Sequence, residues 1–256
     1  EMSIELTGKV MGSVRTHTEE TLKKVFDKAY TVIQLSEGEL YEGELDQLKG
    51  EIPKRPIVLF MHGSSGINPA IRTFARHLAQ KGFAFLAPDS MQTQDRITYS
   101  SPVAQTVYEE IHAMRYAELR YAVQRLETLS FFNGNYVIAG TSEGAVSVAR
   151  FNNESPQKES ARMIFSWSCE NNYHVLEHKT HIPEDCAVLN MMSAEDPYFS
   201  QKNSYLDNPE ALGHAGMVLK DHPDATIVLL SKAPHTLFNL PQATSVIDAF
   251  LERVVV

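Results

Sequence analysis

The 256-residue sequence predicts an α/β architecture: a mostly parallel, doubly wound sheet with helices on both faces and antiparallel strands at its N-terminal end. Three observations lead there. Apolar runs such as "IVLFMHG" are near-continuous rather than alternating, as expected of strands buried on both faces. Helix-like runs alternate with them along the chain. Finally, "YVIAGTSEGAVSVA" (Tyr136 to Ala149) passes from strand-like to helix-like through Gly140, Ser142 and Gly144, a G-x-S-x-G turn too tight for side chains at the glycines.

Taken in order, residues 15 to 29 read as a helix, and "YTVIQL" and "ELYEGEL" as two short strands forming an antiparallel edge. "EIPKRP" is a linker. Residues 1–52 are thus an N-terminal arm, and 53–256 the core, of one domain. "NPAIRTFARHLAQKG" is a helix with Asn68 as N-cap before Pro69 and Gly82 as terminator. After the strand "FAFLAPDS", a polar loop from Met91 to Pro102 leads into a long helix ending near Leu129. Its apolar positions Leu119, Ala122, Leu126 and Leu129 fall at helical spacing. Beyond Ser142 come the strands "ARMIFSWS", "AVLNMMSAED" and "ATIVLLSKAPH", then a closing helix from Pro241 to Val254. The intervening "CENNYHVLEHKTHIPED" and "PYFSQKNSYLDNPEALGHAGMVLKDHPD" are expected to be crossover helices with loops rather than covers over a site.

Composition narrows the function. Hydrophobic content of 43% and charged content of 21% are ordinary for a globular enzyme. A net charge of -9 argues against nucleic acid and anionic membrane surfaces as partners, because both need a basic face. No apolar stretch approaches the ~20 residues that span a bilayer. No basic segment followed by an apolar one opens the chain, so the expected compartment is cytoplasmic, or periplasmic or secreted if a signal peptide has been removed. Cys169 follows one strand-like run and Cys186 precedes the next. Parallel strands would separate them by a strand length of ~17–20 Å, against the ~7 Å between Cα atoms that a disulfide tolerates, so two reduced thiols are expected.

In an open parallel sheet, ligands bind beyond the carboxyl ends of the strands. Four strand-like runs end in reactive residues: "HGSSG" at Gly63 to Gly66, Ser142, Asp196 and His235. Serine, acid, histidine is the chain order of a hydrolase triad, and order together with strand-end position is far more specific than the pentapeptide. Asp185 precedes its strand. His214 and His222 lie at the wrong end of theirs.

With these residues the sequence resembles the α/β-hydrolase superfamily. "MHGSSGINPAIRTFARHLAQKGFAFLAPDS" and "AGTSEGA" are similar to its dienelactone-hydrolase-like branch of serine esterases. The resemblance covers roughly Pro53 to Val254. It implies the α/β-hydrolase fold and cleavage of a small-molecule carboxylic ester or lactone, without cofactor or metal. Dienelactone hydrolases proper carry a cysteine nucleophile where this chain has Ser142, which weakens transfer of the lactone substrate. Ala145 stands where related elbows often have another glycine.

The expected roles follow. Ser142 attacks the carbonyl carbon, His235 moves its proton, and Asp196 orients the imidazole. The backbone N–H of Glu143 and a donor from Ser64 would form the oxyanion hole, each typically worth about 3–4 kcal/mol of barrier. Ser65, Arg96, Tyr99 and Trp167 are candidates for substrate contact, although a buried tryptophan or cysteine such as Trp167 or Cys169 more often belongs to the core. The Glu143 side chain is expected to face solvent, and His62 to pack behind the "HGSSG" loop. His174, His178 and His181 read as surface histidines rather than metal ligands. The arm is expected to cover the sheet edge, with a homodimer contact as its other role. Two rival functions use the same residues: an amide or peptide hydrolase, and a non-catalytic hydrolase-fold binding protein. The first usually needs a large access-limiting domain for which there is no room, and the second has no need to retain all four elements. Acyl transfer to an acceptor other than water stays open.

Overall fold

The computed structural model describes residues 4–255. Its centre is an eight-stranded sheet built from β2 (Tyr30–Gln34), β3 (Leu40–Glu44), β4 (Arg55–Met61), β5 (Ala84–Ala87), β7 (Phe132–Thr141), β8 (Ala161–Phe165), β9 (Ala187–Ser193) and β10 (Ala225–Leu230), in spatial order β10-β9-β8-β7-β4-β5-β2-β3. The six strands from β10 to β5 are mutually parallel; β2 runs antiparallel to β5 and to β3. The hairpin therefore covers the β5 edge and leaves β3 outermost. A separate two-stranded ribbon pairs β1 (Val10–Met11) with β6 (Thr98–Tyr99).

Alternation along the strands assigns side chains to two cores. Ile57, Leu59 and Met61 of β4 face one layer, with α1 (Glu19–Asp27), α3 (Gln105–Arg125) and α4 (Glu143–Arg150). Val58 and Phe60 face the other, with α2 (Pro69–Gln80) and α5 (Pro241–Val254). Asn68 caps α2, its Oδ1 accepting from the Ile71 N–H at 3.0 Å, and Pro69 occupies the first turn. The bounds of α5 coincide with the expected ones. No helix among the described residues is long and apolar enough to cross a membrane.

Three expectations need correction. The first helix spans residues 19–27 rather than 15–29, because Thr18 caps it: its backbone is extended and its hydroxyl accepts from the Thr21 N–H. The expected loop from Met91 to Pro102 contains a short strand, β6. The arm runs along it through β1–β6 and through Gly8 N–H to the Pro102 carbonyl and Ile97 N–H to the Val14 carbonyl. The crossovers from β8 to β9 and from β9 to β10 contain no α-helix among the described residues, only turns. A side chain of β9 and one of the first crossover supply backbone partners that a helix would have supplied. Asn190 Nδ2 donates to the Ile164 and Trp167 carbonyls, its Oδ1 accepts from Ala215 N–H, and Glu170 accepts from Leu212 and Gly213 N–H.

Candidate active site

Ser142 joins β7 to α4 with φ 53° and ψ −120°, a left-handed region that costs an L-residue about 1–3 kcal/mol. Its hydroxyl makes no capping bond to the helix it precedes. The glycines around it permit close approach. A Cβ on Gly144 would lie 2.3 Å from the Met61 carbonyl oxygen, and one on Gly140 2.9 Å from Val148 Cγ2. The "HGSSG" loop abuts the turn, for a Cβ on Gly63 would stand 3.5 Å from Ser142 Cβ.

The structure brings the three expected side chains into one line. Ser142 Oγ lies 2.9 Å from His235 Nε2, and His235 Nδ1 lies 2.7 Å from Asp196 Oδ2. Asp196 is fully buried, and its other oxygen, Oδ1, accepts from the N–H groups of Tyr198 (2.8 Å) and Phe199 (3.0 Å). The carboxylate thus holds Nδ1 protonated and leaves Nε2 free to accept from the serine hydroxyl. The loop carrying His235 is tied down by Ser166 Oγ, which donates to the His235 carbonyl, and by Ser193 Oγ, which donates to the Ala233 carbonyl at 2.6 Å. Tyr198 packs edge-on against the imidazole at 4.6 Å and Phe199 lies 6.0 Å away.

Directly beneath the turn the expectation for Glu143 fails. Its side chain is fully buried, with Oε2 accepting from Arg115 Nη1 at 2.5 Å and from Arg96 Nη2 at 3.0 Å. Burial alone would push this carboxyl up, but the Arg96 and Arg115 charges outweigh it and hold it at about 2. A carboxylate adjacent to the serine faces inward because two distant cations converge there. Arg96 is accordingly a buried partner of Glu143, also donating to the Ile97 carbonyl at 2.9 Å, and not a substrate contact.

The remaining candidates divide. Ser64 and Ser65 are exposed on the loop, and Ser65 Oγ accepts from Asn68 Nδ2 at 3.1 Å. Tyr99 is partly exposed, packed edge-on against Tyr108 at 5.2 Å; burial and the neighbouring Glu143 carboxylate push its hydroxyl up. Trp167 is fully buried and meets the site through Phe199, 5.0 Å away, so it belongs to the core. His62 is buried behind the loop as expected. His174 is not a surface residue. It is buried among Tyr108 (4.2 Å), His112 (4.8 Å) and Phe199 (5.4 Å), and burial lowers its pKa. His181 is exposed and His178 intermediate. Among the described residues no group of three or more His, Cys, Asp or Glu is arranged to hold a metal. Both cysteines are buried free thiols. Sequence reasoning missed Arg115, Glu118, Tyr198 and Phe199. Arg115 and Glu118 could have been flagged as charges three apart within the apolar register of the long helix.

The sheet order, the helices on both faces and the strand-to-helix serine turn together are those of an α/β-hydrolase fold. Among solved structures the chain is similar to a dienelactone hydrolase-like promiscuous phosphotriesterase from metagenomic libraries, with a TM-score of 0.57, 17% identity, and coverage of 88% of this chain and 99% of that one. It is also similar to Est1E from Butyrivibrio proteoclasticus with ferulic acid bound (TM-score 0.56, 15% identity, 89% and 94% covered) and to the esterase domain of a Rhodothermus marinus protein (TM-score 0.53, 18% identity, 89% and 99% covered). At these identities the likeness is one of fold. No protein-family model and no curated protein matches the sequence.

Proposed function

We propose that this chain is a serine hydrolase that cleaves a small-molecule carboxylic ester or lactone through an acyl-enzyme. The observation that carries the reading is the hydrogen-bonded line from Ser142 through His235 to buried Asp196, on a strained turn whose hydroxyl caps nothing. Ser142 Oγ attacks the carbonyl carbon while His235 Nε2 takes its proton. The tetrahedral oxyanion is met by the Glu143 N–H, in the first turn of α4 where amides lack intrahelical acceptors, and by a donor of the Ser64 loop. Collapse expels the alkoxide, which leaves with the proton from His235. Water, deprotonated by the same imidazole, then attacks the acyl carbonyl and releases the acid and the serine.

The test is labelling with a fluorophosphonate, which traps activated serines, followed by location of the modified peptide. Labelling at Ser142 that disappears in Ser142→Ala and His235→Ala is the expected result. A folded wild-type protein that takes no label would overturn the serine mechanism and favour a binding role. An ester panel follows, and the ferulic acid bound to Est1E, with the exposed Tyr198 ring beside His235 here, adds hydroxycinnamate esters to short-chain ones.

A further inference from the structure

The buried charges under the nucleophile do not end at Arg115. Arg115 Nε donates to Glu118 Oε1 at 3.0 Å, and Glu118 Oε2 accepts from Ser90 Oγ and lies against His17 Nε2, both at 2.7 Å. The Ser90 backbone N–H donates to His62 Nε2 at 3.0 Å, and His62 Nδ1–H donates to the Gly63 carbonyl at 2.7 Å. A continuous buried path thus runs from the Glu143 side chain to the backbone of the "HGSSG" loop. Its two ends are the two segments that carry the proposed oxyanion donors, and they come from strands β7 and β4.

The chemistry of the path is directional. An apolar filling of the same volume would be about as stable, since burying an ion costs several kcal/mol that pairing only roughly repays. Apolar packing, however, does not fix the heading of a backbone N–H, whereas a donor must meet the oxyanion at ~2.7–3.1 Å. Every side chain on the path is nearly or fully buried, His62, Ser90 and Arg115 at 0% and Glu118 at 2% exposure. Burial would push Glu118 up, but Arg115 and His17 hold it below the usual carboxylate range, so it stays an acceptor for three donors.

We infer that this path holds the two halves of the oxyanion hole in register, with Glu118 and Ser90 as positioning residues and His17 anchoring the arm to the same node. The inference rests on the serine-hydrolase reading. It is tested with Ser90→Ala and Glu118→Gln, with Glu159→Gln as a control. Glu159 forms a comparable buried pair with Arg162 at 2.9 Å, at the amino end of β8, the opposite end of the strand from the triad. The reporters are kcat, KM and inhibition by phenylboronic acid, whose boron bonds to the serine oxygen and becomes tetrahedral, presenting an oxygen to the hole.

For Ser90→Ala and Glu118→Gln the expectation is a fall in kcat of roughly tenfold or more, below the ~10²–10³ of losing a donor outright. KM should stay within about twofold, while boronate inhibition weakens by the same factor as kcat/KM. Glu159→Gln should lower thermal stability and leave kcat and boronate binding unchanged. Kinetics of Ser90→Ala indistinguishable from those of the control would overturn the inference. Ser90→Ala removes a single hydroxyl, so it carries the test even if Glu118→Gln fails to fold. Failure of the parent reading looks different: wild type itself would neither label at Ser142 nor bind the boronate.

Discussion

Two buried ion clusters lie at opposite ends of the same sheet and differ in what they hold. At the amino end of β8, Arg162 pairs with Glu159 at 2.9 Å and donates to the Val148 and His181 carbonyls. That cluster ties β8 to the last turn of α4 and to the β8–β9 connection. At the carboxyl ends, Glu143, Arg96, Arg115 and Glu118 join a strand terminus, a helix, a loop and the arm. Strain marks the carboxyl end as well. Ser142 and Ser166, immediately after β7 and β8, are non-glycine residues at φ 53° and 55°, although Gly66 in the neighbouring loop takes its positive φ as a glycine. At Ser142 the strain aims the side chain carried by the turn.

The sharpest way to test that contrast is Asp196→Asn. Asparagine preserves the shape and one acceptor but presents an amide to His235 Nδ1, favouring the wrong tautomer. The expected loss in kcat is on the order of 10⁴-fold with the fold retained, measured by ester hydrolysis alongside circular dichroism. Retained turnover would mean that the line of three side chains is not the catalytic one.

Next in size is a matched pair, Arg115→Met and Arg162→Met. Each strands a buried carboxylate, and each should cost about 3–5 kcal/mol in denaturant unfolding. If the two clusters differ as argued, the folded fraction of Arg115→Met turns over more slowly and that of Arg162→Met does not. Equal kinetic effects would erase the distinction between the two ends.

What was legible in the sequence follows the same line. Reactive residues directly after apolar runs located Ser142, Asp196 and His235, because a parallel sheet places strand ends together regardless of what lies between. Local signals located the Asn68 cap and the limits of α5. The burial of Glu143 was not legible, since it depends on cations 47 and 28 residues earlier in the chain. Nor were the helix-free crossovers. Their backbone is satisfied by Asn190 of β9 and by Glu170, which reaches from the first crossover to the second, and their apolar residues cover the triad through Tyr198 and Phe199, contacts with no sequence period. His174 was misread for the same reason: aromatic rings from α3 and the last crossovers bury it.

Acid pH probes the carboxyl-end cluster as a whole. Burial holds His62 at about 4 and lowers His112 and His174 below the ordinary histidine range. Such a base stays neutral in the fold while the unfolded chain takes up a proton, so stability falls as pH drops below the ordinary histidine value of 6.5. For His62 the loss levels off below about 4. Glu143, held at about 2 against an ordinary value of 4.5, adds stability above 4.5 that is lost between those values. Denaturant titrations from pH 7 to 4 should show a steep acid limb, and His62→Gln should flatten it by up to one proton. An unchanged slope would mean that His62 is not buried neutral.

The smallest expected effect isolates the loop from its helix. Asn68 caps α2 through Oδ1 and donates through Nδ2 to Ser65 Oγ, so Asn68→Ala removes both contacts and should cost about 1 kcal/mol. Asn68→Asp keeps the acceptor for the Ile71 N–H, and its second oxygen can accept from the Ser65 hydroxyl in place of the Nδ2 donor, so both contacts survive. Its stability and kcat should match wild type, and any fall in kcat confined to Asn68→Ala then reports loop order. A kcat equal to wild type in Asn68→Ala would assign loop order to the His62–Ser90 path from the other side, and the role of Asn68 would end at the helix.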